Sequence, residues 1–333
     1  MNFRSRKGWI KVILTAIGVL LFFYLIRRIG LETLGANLVR FGPWFFLTCS
    51  LAAAWLYCQA WAWWLIQKAF FQQVPLRLLY RIKIITAALN LVLPAASLGG
   101  EAMRAFLVKK HIPLREGIPS VLFDKTIEFI GSLVFLTGGF LLGLASLRLP
   151  ATLTIPMIVS LGITAAGILL FIVMQKRGVT KTLTRLTGLV PKARGWIQKH
   201  EFQLQILDQN LRVLYARSNH RAIPPIAIQV LGRLLGAIEV VIIMAVLKSP
   251  VTFIQAIVIC TVVTMGNSVF FILPGHWGVM ESLHILVLQS MGYPAAIGLS
   301  LSVIRRIRNT IFVGLGLVLF SLGKRRPGRQ EES

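Results

Sequence analysis

The chain has 333 residues, of which 56% are apolar and 14% charged, with a mean hydropathy of +0.75. A soluble domain carries about 25% charged residues, so this composition excludes a soluble globular protein and specifies an all-α polytopic membrane protein. The net charge of +25 is spread over the loops between apolar runs. That spread argues against a nucleic-acid partner and fits the bias of basic residues toward cytoplasmic loops, with attraction to anionic headgroups as a second contribution.

In chain order, the first apolar run spans 10–26 and follows a basic N-terminus of Arg4, Arg6, Lys7 and Lys11. It has no small-residue cleavage site and reads as a retained helix. Further runs near 43–66, 117–147, 152–174, 222–247 and 295–322 are long enough to cross a bilayer. Arg27, Arg28 and Arg40 fall on the outer side in this scheme, against the charge rule, where snorkelling accommodates them. Trp55, Trp61, Trp63 and Trp64 on the second run read as an interfacial aromatic belt.

Two regions fit no simple span. The stretch 82–110 is cut by Pro94, and the stretch 251–291 by "LPGHWG" at 273–278. Arms of about 11 residues at about 1.5 Å each reach only half of a ~30 Å core, so each region is expected to be a re-entrant helical hairpin. Broken backbone at membrane depth is tolerated where it packs on protein or lines a wet cavity. Between them, the polar loop 175–221 holds ten Lys or Arg and only Glu201 and Asp208 as acids, which places it in the cytoplasm. Its apolar residues at helical spacing predict an amphipathic helix on the membrane surface. Residues 1–324 thus form one transmembrane domain, of about six spans and two hairpins, and 325–333 a polar tail. Both termini and the large loop face the cytoplasm, in the plasma membrane.

Spacing suggests an inverted repeat. Pro94 precedes Glu101 by seven residues, and Pro274 precedes Glu281 by seven. Glu101 precedes Lys125 and Glu128 by 24 and 27, and Glu281 precedes Arg305 and Arg308 by the same intervals. Inverted repeats are the architecture of many transporters.

The apolar segments also carry charges. Glu101, Asp124, Glu128, Glu239 and Glu281 are the acids; Arg104, Lys125, Arg233, Arg305, Arg306 and Arg308 are the bases. Glu128 lies about 18 Å beyond Glu116 and Arg308 about 21 Å beyond Pro294, near mid-membrane. A lone charge there costs at least about 2.5–3.5 kcal/mol, so these groups must face one another, water or a polar substrate. Asp124 and Glu128 share a helix face, as do Arg305 and Arg308, with Asn309 beside them, while Arg306 points about 100° away. The expected arrangement pairs acids of one half with arginines of the other. Two readings stay open, structural ion pairs within a bundle and a polar slot for a headgroup. A slight excess of bases suits an anionic or zwitterionic headgroup. Glu101 and Glu281 sit in the first turns of half-helices, where they either satisfy free N–H groups or meet a cationic group.

The residues assigned to the substrate are Glu101, Arg104, Asp124, Lys125, Glu128, Glu239, Glu281, His284, Arg305 and Arg308. Pro94, Gly100, Pro274 and Gly278 mark the hairpin breaks. His276, Glu281 and His284 lack zinc-site spacing, Cys49, Cys58 and Cys260 form no disulfide pattern, and no nucleotide motif occurs. No metal and no cofactor are expected, and the chain reads as a non-enzyme.

"LPAASLGGEAMRAFLVKK", "SVLFDKTIEFIGSLVFL" and "LPGHWGVMESLHILVLQSMGYPAAIGLSLSVIRRIRN" together resemble the lysylphosphatidylglycerol synthase transmembrane, or flippase-like, family over nearly the whole chain. The match covers Pro94, Gly100, Glu101, Arg104, Asp124, Lys125, Pro274, Gly278, Glu281, Arg305 and Arg306, while His276 stands where the family usually has Gly. "SLSVIRRIRN" looks most like the stand-alone branch associated with hopanoid synthesis. The resemblance implies translocation of a lipid or lipid-linked headgroup between leaflets. Two-domain members add an aminoacyl transferase, and a chain that ends at Ser333 is not expected to aminoacylate lipid itself. Two alternatives are an integral-membrane lipid pyrophosphatase built on Ser97 and Arg104, and a scaffold that recruits lipid-synthesis enzymes through 175–221.

Overall fold

The computed structural model describes residues 31–71, 74–92, 98–109, 111–147, 150–178, 201–217, 220–269 and 278–324, with Tyr24 and Arg27. The expectations for the run 10–26, Pro94, Pro274, Ser97, His276, most of the basic loop and the tail fall outside them. Among the described residues all regular structure is helical: α1 Leu31–Phe41, α2 Phe45–Phe70, α3 Leu76–Val92, α4 Leu98–Val108, α5 Leu114–Ser146, α6 Ala151–Arg177, α7 Glu201–Arg217, α8 Ile223–Val246, α9 Phe253–Val269, α10 Val279–Ser290 and α11 Ala295–Lys324. Prolines place several starts. Pro113 and Pro150 stand as N-caps of α5 and α6, and proline opens α8, where a missing N–H costs no helical hydrogen bond.

Four segments are long and apolar enough to cross a membrane: Glu32–Phe70, Leu114–Ser146, Ala151–Arg177 and His220–Val246. They coincide with four of the expected spans, and the chain is a multi-pass membrane protein. The run 295–322 is likewise one unbroken helix, α11, but Arg305, Arg306 and Arg308 set it apart from an ordinary lipid-facing span.

The two proline-cut regions do fold back. Gly100 of α4 donates its N–H to Asn90 Oδ1 of α3 at 3.1 Å, and Gly266 of α9 sits against Leu283 of α10. The arms are unequal, however. α3 and α9 have 17 residues each, about 26 Å, whereas α4 and α10 have 11 and 12. The first arm was expected to begin at Ile82; it begins a turn and a half earlier because "LRLLYR" continues the helical pattern up to Val74-Pro75. Gly278 takes φ +75°, a left-handed backbone in which a side chain would be strained, and starts α10. Gly100 has a different role. A Cβ there would lie 2.0 Å from Asn90 Oδ1 and 2.9 Å from the Thr86 carbonyl oxygen. Gly100→Ala is therefore expected to lower stability by about 1–3 kcal/mol. Thermal unfolding in detergent would check it, and adding Asn90→Ala should recover only part of the loss, because the Thr86 backbone cannot step aside.

The packing is reciprocal. α2 lies along α8; α3 packs on α11 while α9 packs on α5; α1 touches α11 while α7 touches α5. Glu101 and Glu281 are 180 residues apart, and the same shift carries Leu76–Val92, Leu98–Val108 and Leu114–Ser146 to within three residues of α9, α10 and α11. α6 stands outside this scheme, against α5, α7 and α9. The largest apolar core gathers Phe135, Leu136, Ala237, Val240, Ile257 and Ile304 from α5, α8, α9 and α11, and a smaller one joins α2 through α5.

α7 differs from expectation. Its apolar face is covered by protein instead of lipid: Leu211 and Leu214 are buried with Ile66, Phe123 and Ile127. Thr126, Gln175 and Tyr215 close a hydrogen-bonded triangle that ties α5, α6 and α7, with Gln175 Nε2 donating to Thr126 Oγ1 at 3.0 Å. Burial raises the Tyr215 phenol above its ordinary pKa, so it stays protonated and donates to Gln175.

Candidate functional site

The broken regions and their neighbours carry two ionic clusters. The first joins three helices. Asp124 of α5 is wholly buried, and its Oδ2 accepts from Lys83 Nζ of α3 at 2.8 Å and from Arg104 of α4. Arg104 also donates to Glu101, one turn earlier on α4, at 2.8 Å. Lys125 reaches Glu128 at 2.9 Å and Glu101 at 3.4 Å. Three bases and three acids balance, as burial requires. The wall behind them is Trp63, whose ring centroid lies 4.4 Å from the Arg104 guanidinium and whose indole N–H donates to Ser120 Oγ at 2.8 Å.

The second cluster joins α8 to α11. Glu239 accepts from Arg305 Nε at 3.2 Å through one oxygen and from Arg308 through the other. Arg308 also donates to Asn309 Oδ1 at 2.7 Å. Separately, Arg306 meets the buried Glu281 of α10 at 2.7 Å.

Several sequence-based expectations change. Asp124 and Glu128 do not pair with Arg305 and Arg308. Each half pairs its own acids with its own bases, because α3 supplies Lys83 and α8 supplies Glu239. Arg306, set aside as pointing away, turns out to face α10 and hold Glu281. Glu281 and His284 are fully buried and border neither of the two cavities described next; His284 Nδ1 lies 2.7 Å from the Met280 carbonyl, a local helix contact. Trp63 is 0% exposed and belongs to the charged wall, not to an interfacial belt, while Trp61 is 38% exposed. Lys83 went unread: a single lysine in "RIKIIT" looks like the start of a hairpin arm until α3 turns it toward Asp124. Arg233 was named only as a base.

Two cavities border these clusters. The larger, about 300 Å³, is lined by Gln59, Lys83, Glu101, Arg104, Lys125 and Glu128, with Arg308 and Asn309 from the other half. The smaller, about 160 Å³, is lined by Arg233, Glu239, Arg305 and Arg308, with Cys260 and Thr264. Ala52, Trp55 and Arg308 line both, so α2 and α11 form the partition between them. Of the ten residues assigned from sequence, seven border a cavity: Glu101, Arg104, Lys125, Glu128, Glu239, Arg305 and Arg308. Asp124 stands directly behind, holding Lys83 and Arg104 in place.

The described residues thus form a helical, multi-pass membrane protein with charged cavities sunk among its helices. The family model of the lysylphosphatidylglycerol synthase TM region matches residues 9–316, and the chain belongs to that family. Among curated proteins and among solved structures none matches it.

Proposed function

We propose that the protein moves a lipid, or a lipid-linked headgroup, between membrane leaflets, with the headgroup passing through the two joined cavities while the acyl chains stay in hydrocarbon. The observation that carries this reading is the lining itself. Six titratable side chains from α3, α4, α5 and α11 border one mid-membrane space, and Arg308 borders that space and its neighbour. Charges placed only to brace a bundle gain nothing from bordering a cavity, whereas a polar cargo needs them there. The family, named for the membrane region of a lipid synthase, supports a lipid substrate.

The reciprocal packing supports two halves of opposite orientation. Three long helices, α2, α5 and α6, lie between the start of α2 and its counterpart α8, an odd number of crossings. With the basic loop facing the cytoplasm, both termini face it too, and the plasma membrane is the proposed location.

The test is a leaflet-resolved assay in reconstituted vesicles with fluorescent phospholipids and lipid-linked phosphates. Wild-type protein should accelerate exchange, and Glu101→Gln, Glu128→Gln and Arg308→Ala should each return it to the protein-free rate while leaving the size-exclusion profile unchanged. Normal exchange in all three variants would refute the pathway.

A further inference from the structure

We infer that the smaller cavity, between α8 and α11, is a binding site for the phosphate group of the lipid headgroup. This rests on the transport reading above and adds to it a ligand chemistry and one residue, Arg233. Both linings carry more cations than acids, but of different kinds. The larger is lined by Lys83, Arg104, Lys125 and Arg308 against Glu101 and Glu128, and the buried Asp124 behind it takes up Lys83 and Arg104. The smaller is lined by three guanidinium groups, of Arg233, Arg305 and Arg308, against one carboxylate, Glu239, a surplus of two positive charges. Both Glu239 oxygens are already engaged by Arg305 and Arg308.

Arg233 has no such partner. Its side chain donates to Ser132 Oγ, and no carboxylate stands within 4 Å of it among the described residues. It lies ten residues into the 24-residue α8, about 15 Å along a helix of about 36 Å, near mid-membrane. The charge of Glu128 acts on it only from beyond 4 Å, and a guanidinium at that depth with no carboxylate in contact is costly, a cost that an anion in the cavity relieves. Arginine is also the side chain whose planar fork matches phosphate oxygens in pairs. A compact tetrahedral anion suits a cavity of about 160 Å³, and the remainder of a headgroup would reach past the partition at Trp55 and Arg308 into the larger one.

Cys260 borders the same cavity and serves as the reporter. With Cys49 and Cys58 replaced by alanine, the purified protein in nanodiscs of an uncharged glycolipid is labelled with a negatively charged and a positively charged methanethiosulfonate of similar size. The negative reagent is expected to react at least tenfold faster. Arg233→Gln should bring that ratio down several-fold, and Arg233→Lys should preserve most of it; neither leaves a carboxylate stranded, so both variants should fold. Adding phosphatidylglycerol to the nanodiscs should slow labelling by both reagents several-fold in wild type and little in Arg233→Gln. A ratio near one, or a ratio unmoved by Arg233→Gln, overturns the inference. Protection by inorganic phosphate but not by phosphatidylglycerol assigns the site to a free ion and overturns the headgroup assignment. Charge-selective, lipid-protected labelling without lipid exchange in vesicles would sink the transport reading and leave this site standing. Lipid exchange with unselective labelling would do the reverse.

Discussion

Asp124→Ala is expected to cost about 3–5 kcal/mol of stability, the range seen when one partner of a buried ion pair is removed. Asp124 is 0% exposed, and the two cations on its Oδ2 are 3% and 2% exposed. Arg104 would keep Glu101, but Lys83 would lose its only ion-pair partner among the described residues. Water could reach Lys83 only through the cavity, and the apolar wall of Trp63 offers a weak cation–π contact at 5.9 Å in exchange. The expected readout is a sharp drop in thermal unfolding temperature in detergent, with α3, α4 and α5 losing protection from proteolysis first. Asp124→Leu combined with Lys83→Met removes charge of both signs and should recover most of the loss, since buried ion pairs contribute little over apolar groups of similar volume. A single Asp124→Ala as stable as wild type would mean that the cluster is already wet and Asp124 is not its anchor.

The legibility of this chain followed the kind of signal each feature leaves. Spans, proline breaks and the spacing of charges are local patterns, so the helices of 43–66, 117–147, 152–174 and 222–247 could be read directly, and the 180-residue correspondence showed in a few matched offsets before any packing was known. Partnership was harder. Asp124 and Arg308 look complementary on paper, and nothing in the spacing tells that Lys83 and Glu239 stand nearer to them. Those two sit on other helices, and only the fold, which brings Lys83 of α3 within reach of α5 and sets α8 against α11, puts them there. Burial misled in the same way. Trp63 lies in a tryptophan-rich run that reads as a membrane belt, yet its ring backs Arg104 because α2 turns that face inward. Arg306 shows the converse. Its 100° offset from Arg305 did take it away from the cavities, and the offset is what delivers it to Glu281.

Glu239→Gln should move two measurements in opposite directions. The carboxylate is 1% exposed and holds Arg305 and Arg308 together. Glutamine keeps the shape and one acceptor but removes the charge, so the smaller cavity goes from a surplus of two positive charges to three. The loss of stability should be smaller than for Asp124, about 1–3 kcal/mol, because both arginines border a space that water can enter. Affinity for an anion should rise. One added unit of positive charge a few ångströms from the ligand is worth up to about 4 kcal/mol at an effective dielectric near 20, so tightening of tenfold or more is expected, read as stronger protection of Cys260 by phosphatidylglycerol. Lipid exchange should fall, since a site on a pathway must bind weakly enough to let go. Glu239→Gln with Arg305→Gln restores the surplus of two and should return both affinity and exchange toward wild type. Two other outcomes are informative in the opposite sense. Exchange that rises together with affinity would mean entry, not release, limits the rate. Exchange that stays lost in the double variant would mean that the Glu239 bond to Arg308, which fixes the partition between the two cavities, matters more than their charge.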